Sequence, residues 1–537
     1  MGTVTVVSAP GGAPQDLAIR PAGERRVTCI RAHAFTWAAA GIVVLAAVLR
    51  IWRLDMAEFK GDELQVTRLA FALAQHGQWP ERGILSSLGT FNSPLFVYFE
   101  ALPALVWASP LALTAFVAAL NVAAVALAIA FARRYFGPVA ALVAGVLFAT
   151  APWAVVYSRK IWEQDLLPPF VLLFFLGLFL AVVDRKPRAL LLCGVAAGVT
   201  VQLHPSAIVL PIIALVALLL WPSRFPWRSV ASAGALAALV MLPYLFTEWQ
   251  HRFSDWQYAF AGSGHLRLGP FLGISVGVIN WAQAASGWQV ISMFRSSGTA
   301  QHDPASVTIA TWLAGSLLAA ATIHLVVHCR RLWMRRVLRQ APGAQATVLL
   351  ALWLLLPPLL LGLSGLLTFP HYFIVSFPAP FLAIGLLVDT IGSGGRRWRT
   401  AALALVAVLA LANVATITQV LRAAGRAPFP NDYGLPLAFD NRIATAISQD
   451  AAGRPAVVSV ATAFRDGQQV IDQLVVWKSG PVDAAAAAAP RQRYWVLPNG
   501  IGAPTGAHLL LALGPVTGPP IAIVWAGDRV SAGGTLP

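Results

Sequence analysis

Ten apolar runs long enough to cross a bilayer begin near residues 33, 111, 137, 166, 206, 229, 305, 346, 371 and 400. Runs of roughly 17–25 residues match the length a helix needs to traverse about 30 Å of hydrocarbon. Such a chain has little choice of fold, because in lipid every backbone N–H and C=O of a spanning helix must be bonded within its own segment. A shorter run at 189–203 completes a span with help from its flanks. The run at 94–110 is ambiguous, since it holds Glu100 and Pro103 and stops at Ser109-Pro110. The expectation is an all-α polytopic membrane protein.

Composition excludes the soluble alternatives. The 537 residues are 58% hydrophobic and only 11% charged, with a mean hydropathy of +0.70, which no soluble globular domain of this size shows. The formal charge of +16 is carried almost wholly by arginine; the lysines are Lys60, Lys160, Lys186 and Lys478. Those charges sit in short loops between apolar runs, the pattern that orients a membrane protein, so nucleic acid is rejected as a partner. Cys29, Cys193 and Cys329 form neither a metal-ligand spacing nor a disulfide framework. The first thirty residues are polar and hold Gly, Pro and Arg without an apolar core or cleavage site, and read as a cytoplasmic tail, not a signal peptide.

The positive-inside tendency fixes the number of crossings. Arg20, Arg25, Arg26 and Arg31 keep the N-terminus in the cytoplasm. Five further basic loops lie at Arg133-Arg134, Arg185-Lys186 with Arg188, Arg224 with Arg228, Arg330 to Arg339, and Arg396 to Arg399. All five share the cytoplasmic side only if residues 94–132 cross once. Residues 94–109 are therefore expected to be a half-embedded, re-entrant or juxtamembrane helix, and the count is about eleven spans. Division follows as a tail (1–32), a membrane domain (33–421) with outer loops at 53–110 and 248–304, and an extracytoplasmic region (422–537). That last region alternates a helix at 436–451 with β-rich runs at 457–460, 494–497, 508–513 and 521–525, a small α/β domain. Ala484 to Ala489 with Pro490 reads as a linker or surface helix. A structural lid and a substrate-recognition module are both open for this domain.

The same topology gathers the polar clusters on the outer face. Gly61-Asp62-Glu63 follows the first span; a solvated loop with helix-start acids is the plain reading, but an acid at a membrane edge is a functional candidate by default. Arg159-Lys160-Ile161-Trp162-Glu163-Gln164-Asp165 lies between two spans, and adjacent outer cations need a reason. Either they bind a phosphate, for which guanidinium and ammonium are suited, or they pair locally with Glu163 and Asp165. His204, in Gln202-Leu203-His204-Pro205, is either a helix-end cap or a group facing a cavity. His371-Tyr372, after Thr368-Phe369-Pro370, is similar, with an interfacial aromatic as the plain reading. No zinc-protease, phosphate-loop or nucleophile-elbow pattern is present.

Taken together, Gly61-Asp62-Glu63, Tyr157-Ser158-Arg159-Lys160-Ile161-Trp162 and Gln202-Leu203-His204-Pro205 resemble the GT-C superfamily of integral-membrane glycosyltransferases. Within it the chain is most similar to the family 39, protein-mannosyltransferase-like and aminoarabinose-transferase-like proteins. His371-Tyr372 and Tyr433-Gly434-Leu435-Pro436-Leu437 fit a bacterial branch, and the likeness covers 33–421. The resemblance implies a glycosyltransferase that moves a sugar from a polyprenyl-phosphate donor to an acceptor glycan, lipid or protein, on the extracytoplasmic face of the cell membrane, with inversion. It implies Asp62 as general base with Glu63 in support, Arg159 and Lys160 on the leaving lipid phosphate, and Glu163 or Asp165 as the second acid. His204, His371 and Tyr372 are the candidate substrate contacts. Aminoarabinose-transferase-like proteins carry an acidic-basic pair before the Pro-Leu that follows the first loop, where this chain has Phe91-Asn92-Ser93-Pro94-Leu95. If that acid is a metal ligand, it is missing here, and no obligatory metal or other cofactor is expected.

The chemistry agrees, since inversion at an anomeric carbon needs one base opposite a phosphate leaving group whose charge is stabilised. Two competitors remain. A transporter or flippase of polyprenyl-linked glycans would place ionisable groups at mid-membrane within paired repeats, whereas here they lie at one edge. A non-catalytic GT-C-fold partner in a glycosylation complex would keep the architecture without turnover.

Overall fold

The computed structural model describes residues 22–86, 89–261, 268–295, 303–337, 341–426, 430–479, 491–514 and 519–530. The stretch 1–21, Arg339 and the segment 484–490 lie outside the described residues.

Proline and glycine punctuate the chain where the apolar runs predict. Helix α1 (Ala22–Ile51) is followed by α2 (Gly61–His76), α3 (Leu95–Val106) and α4 (Pro110–Phe136). Ser109 caps α4, its hydroxyl accepting from Leu111 N at 3.3 Å, and Pro110 occupies the first helical position. Proline fits there because that N–H has no partner within the helix. The same device opens α5 (Pro138–Thr150) and α6 (Pro152–Tyr157). Next come α7 (Leu167–Val182), α8 (Leu190–Leu203), α9 (Val209–Leu220), α10 (Trp227–Gln250) and the short α11 (Ser254–Ala261). The set continues with α12 (Pro270–Ser286), α13 (Ala305–Met334), α14 (Pro342–Leu363), α15 (Ala379–Ser393) and α16 (Arg396–Ala424).

Among the described residues, seven helices are long and apolar enough to cross a membrane. Pro370–Ser376 with α15 adds an eighth, bent by 56°. Pro138–Thr150, Pro187–Leu203 and Pro205–Leu220 are shorter apolar helices, and counting each as a span gives eleven. The fourth short helix, Leu95–Val106, is the segment expected to be half-embedded. An odd count also agrees with the chain's ends: just beyond α16, the Tyr433 hydroxyl donates to Met56 O at 2.6 Å, and Leu437 N donates to Ala57 O at 3.0 Å. The C-terminal region and the first loop therefore lie at one end of the bundle. At the opposite end Arg134 pairs with Asp184 at 2.6 Å. Between the ends, Phe175 stacks on Trp353 at 3.8 Å and Phe131 meets Phe179 edge-on at 4.7 Å, filling the space between α4, α7 and α14.

The helix of the first span begins at Ala22, and its apolar part is His33–Ile51, where the span is expected. One expectation needs correction: the outer segment 248–304 is not simply a loop, because it contains α12, which packs along α14. Here the backbones touch: a Cβ added to Gly273 would lie 2.4 Å from Gly362 O, and one on Gly362 would lie 2.6 Å from Ile274 Cα. This is a small-residue crossing of the Gly-x-x-x-Gly kind, with Gly273 and Gly277 one turn apart. Leu268 N donates to Gly365 O at 2.8 Å before α12, and Met293 O accepts from Tyr433 N at 3.1 Å after it. Helix α12 thus starts and ends on the side of the site, a second half-embedded helix. Gly277→Leu is expected to drive the two helices apart, at a cost of about 1–3 kcal/mol for overpacking. A thermal midpoint unchanged from wild type would show that the crossing tolerates side chains.

Beyond α16 stand α17 (Leu437–Ala451), β1 (Ala456–Val460), α18 (Gly467–Ser479), β2 (Arg491–Pro498), β3 (His508–Leu513) and β4 (Ala522–Val530). The sheet order is β1-β2-β4-β3, with β1 and β2 parallel and the other pairs antiparallel. The parallel pair requires a crossover, which α18 supplies. The small α/β domain and its helix at 436–451 are as expected, whereas α18 was not anticipated. Tyr494 anchors β2 to α17 through its hydroxyl, 2.8 Å from Asp450 Oδ2.

Candidate active site

The site grows from two breaks in the apolar pattern. Helix α1 ends at Ile51, Arg53 takes a left-handed conformation (φ 51°), and a single 3-10 turn at Leu54–Met56 delivers an extended strand to the start of α2. The last carbonyls of a helix have no partner within it. Here Arg159 supplies one: its guanidinium donates to Leu49 O, Arg50 O and Trp52 O at 3.2, 3.0 and 2.8 Å, and to Arg53 O at 2.6 Å. A cation at a helix C-terminus also meets the negative end of the helix dipole. Buried Arg50 does the same for α5, donating to Ala149 O at 2.9 Å and Phe148 O at 3.2 Å.

Arg159 is thus occupied by backbone, unlike its neighbour. Lys160 Nζ lies 3.1 Å from Glu58 Oε1, 3.0 Å from Glu63 Oε1, and 3.7 Å from the centre of the Trp162 ring. Glu58 also pairs with Lys60. Glu63 sits at the third position of α2 and accepts from Lys60 N at 2.9 Å, closing the helix start. Burial works against the Lys160 ammonium, but Glu58 and Glu63 more than reverse it, holding Lys160 above the usual lysine range. Burial likewise pushes on Glu58, yet Lys160 and Lys60 outweigh it and keep its carboxyl below the usual range. Glu63 goes the other way: burial dominates and its carboxyl is raised.

Asp62 is half-buried beside this network and stays outside it. Its Oδ2 accepts from Trp162 Nε1 at 3.1 Å, and it makes no other hydrogen bond among the described residues. The indole of Trp162 therefore carries Asp62 on its N–H edge and Lys160 on its face. The far side of Trp162 meets His371 at 4.9 Å, which in turn neighbours Tyr372 at 4.8 Å and His204 at 6.1 Å. Phe369 lies parallel to His371 at 5.8 Å, so a wall of rings flanks the acid. His204 caps the turn after α8, its Nδ1 accepting from Ser206 N at 3.2 Å. Burial pulls its imidazole down to about 4, so it is neutral at pH 7.

The two candidate second acids part company. Glu163 accepts from Asn92 Nδ2 at 2.9 Å, which ties the first outer loop to the segment after α6. Asp165 is fully buried, its carboxylate has no protein donor, and its backbone carbonyl accepts from Asn121 of α4 at 2.8 Å. The structure thus draws Asp62, Glu63, Lys160, His204, His371 and Tyr372 into one chain of contacts, with Glu163 bonded to Asn92 beside it. It turns Arg159 toward the end of α1 and buries the Asp165 carboxyl within electrostatic reach of Lys160, Glu63 and Glu163, its backbone carbonyl tied to α4. Glu58 and Lys60 were overlooked in the sequence, although their spacing on an extended strand puts both side chains on one side just ahead of the acid pair. Among the described residues no three His, Cys, Asp or Glu side chains are placed to hold a metal ion; where an acid is expected in relatives, Asn92 offers an amide donor.

The C-terminal domain is joined to this site. Lys60 Nζ donates to Asp432 O at 2.7 Å, Gly61 N donates to Asp466 Oδ2 at 3.3 Å, and Phe71 of α2 meets Trp477 of α18 at 5.0 Å. Beside the junction a small cavity of about 20 Å³ lies between α6 and α16, lined by Val155, Ile417 and Val420 and by Glu58, Arg159, Lys160 and Tyr433.

Arg159→Ala is expected to lower the thermal midpoint, since stranded buried carbonyls cost roughly 1–3 kcal/mol each. Donor affinity of the surviving folded protein is expected to change little. A selective loss of donor binding at unchanged stability would return Arg159 to the phosphate.

Comparison with known proteins bears on the fold. Residues 92–247 match the dolichyl-phosphate-mannose-protein mannosyltransferase family model. That stretch contains Asn92, Lys160, Glu163 and His204, while Asp62, Glu63, His371 and Tyr372 lie outside it. Among solved structures, the chain is similar to ArnT from Cupriavidus metallidurans bound to undecaprenyl phosphate, at TM-score 0.55 and 13% identity over 93% of this chain and 99% of that one. The same protein in its apo state gives 0.55 and 13%, over 92% and 98%. The apo oligosaccharyltransferase of Archaeoglobus fulgidus gives 0.47 and 15%, over 84% and 60%. No curated protein sequence matches the chain. The chain thus shares the overall fold of that ArnT, and its residues 92–247 match the mannosyltransferase family model.

Proposed function

We propose that this protein transfers a glycosyl unit from a polyprenyl-phosphate donor to an acceptor hydroxyl, with inversion, on the extracytoplasmic face of the cell membrane. The observation that carries the reading is the shared indole of Trp162, with a carboxylate on one edge and a buried ammonium on its face. Inversion needs a base on one side of the anomeric carbon and a stabilised leaving phosphate on the other. Asp62 is the base, because among Glu58, Asp62, Glu63, Glu163 and Asp165 it alone is neither ion-paired nor buried. Lys160 is the phosphate contact, with Glu58 and Glu63 holding the ammonium ready. Glu63 fixes the start of α2 and so the position of Asp62.

Glu163 is the second acid, held toward the site by Asn92. Trp162, His371, Tyr372 and His204 form the ring-lined wall against which a sugar face stacks, with His204 neutral. ArnT from Cupriavidus metallidurans has been seen with undecaprenyl phosphate, which supports a lipid-phosphate donor here. The basic loops at the far end of the bundle support a cytoplasmic location for that end.

The test is transfer by purified full-length protein, using a panel of polyprenyl-phosphate sugars with alcohol, peptide and glycan acceptors. Release of sugar from one donor, with inverted anomeric configuration in the product, is the expected result. A product of retained configuration would exclude a single displacement, and silence across the panel would favour a non-catalytic partner of the same fold.

A further inference from the structure

The end of the bundle opposite the site holds a second built feature. Helices α9 and α13 both pack on α14, and between them lies a groove of about 860 Å³. Its lining includes the apolar Leu220, Met334 and Val348 of α14 together with the buried Trp221. The exposed Arg330, Trp333 and Arg336 complete it. The chain turns back at Arg336 (φ 55°), so that residue returns to the same groove as Arg330, six positions earlier.

Neither arginine forms an ion pair with a carboxylate among the described residues. Trp333 is 67% exposed, an indole left at the level where a bilayer's headgroups meet its chains. Basic loops by themselves mean only orientation. What differs here is a concave site: two guanidinium groups without a carboxylate partner among the described residues and one exposed indole border a groove that also presents Leu220, Met334 and Val348. A zwitterionic headgroup brings its own cation beside the two guanidinium groups, and a water-soluble anion leaves the apolar lining uncovered. Basic pockets between helices at this membrane face recognise anionic headgroups, and guanidinium is suited to bidentate contact with phosphate.

We propose that this groove holds one anionic diacyl phospholipid from the leaflet at the basic end, its phosphate on Arg330 and Arg336 and its chains against Leu220 and Val348. The site is remote from Asp62 and independent of the donor.

The experiment is native mass spectrometry of the full-length protein titrated with phosphatidylglycerol or phosphatidylcholine. Wild type is compared with Arg330→Gln/Arg336→Gln and with Arg396→Gln/Arg397→Gln, which removes equal charge from the same end. Wild type should retain one phosphatidylglycerol in preference to phosphatidylcholine. The groove variant should bind it roughly thirtyfold more weakly, at about fivefold per arginine, while the control variant keeps wild-type affinity. Equal losses in both variants would reduce the effect to a general surface field and overturn the site, as would equal retention of the two lipids by wild type. Transfer activity, measured alongside, reports folding of each variant without bearing on the lipid.

Discussion

The Asp62→Asn protein is expected to bind the polyprenyl-phosphate donor as wild type does and to transfer its sugar roughly 10²–10⁴-fold more slowly, the usual contribution of a positioned general base. The substitution is nearly isosteric. The amide oxygen of asparagine can still accept from Trp162 Nε1, the contact that orients Asp62, so the local structure has no reason to move. What is lost is the ability to take a proton from the acceptor hydroxyl as the new glycosidic bond forms. The defect belongs in the transfer step and not in donor affinity, because Asp62 touches neither Lys160 nor the cavity beside it. Glu63→Gln is the informative companion. Glu63 is paired with Lys160 at 3.0 Å and bonded to Lys60 N, so its variant should show altered donor binding and stability along with any rate effect. Near wild-type turnover by Asp62→Asn would remove the base assignment and turn attention to Glu163.

How far these roles are legible in the sequence depends on what kind of fact each one is. Spans and sidedness come from solvent: apolar length and arginine placement are read directly, which is why the parity argument reaches the arrangement that joins Met56 to Tyr433. The acids, the cations and His371 are also readable, because they are polar groups where a bilayer penalises polarity. Direction is not readable. Arg159 and Lys160 are adjacent and alike in charge, yet one caps α1 and the other enters the acid cluster, and only the packing of α6 against α1 decides which. Glu58 escapes notice because a Glu two residues from a Lys reads as a solvated pair until the third partner, Lys160, arrives from a hundred residues away. Helix α12 was concealed differently. Its Asn280, Trp281 and Gln283 dilute the hydropathy of a segment already short, and the signal that remained was the Gly273–Gly277 spacing, a packing signal more than a solvation one.

Lys160→Met is expected to be the most damaging single change at the site, for two separable reasons. Wild-type Lys160 neutralises two carboxylates at once, at 3.1 and 3.0 Å. Methionine keeps the bulk and leaves Glu58 and Glu63 facing each other with Lys60 as the remaining cation. Removing one partner of a buried ion pair costs about 3–5 kcal/mol, since the surviving charge stays desolvated. Donor binding should fall as well, because the ammonium assigned to the lipid phosphate is gone. A double variant separates these effects. Adding Glu63→Gln to Lys160→Met removes one stranded charge and should restore part of the thermal stability while leaving donor binding lost. The response to pH should also shift. In wild type the Glu58 carboxyl lies below its usual value, so its stabilisation is complete above the ordinary glutamate pKa of about 4.3 and is lost as pH falls through the depressed value. Without Lys160, Glu58 keeps only Lys60, while the Glu63 carboxyl, already raised by burial, rises further; its ionisation is then more destabilising, and acidification from neutrality should raise the thermal midpoint more than it does in wild type. A Lys160→Met protein that matches wild type in midpoint and in pH response would mean that water, not Lys160, carries the charge of Glu58 and Glu63, and the ammonium would then have no claim on the lipid phosphate.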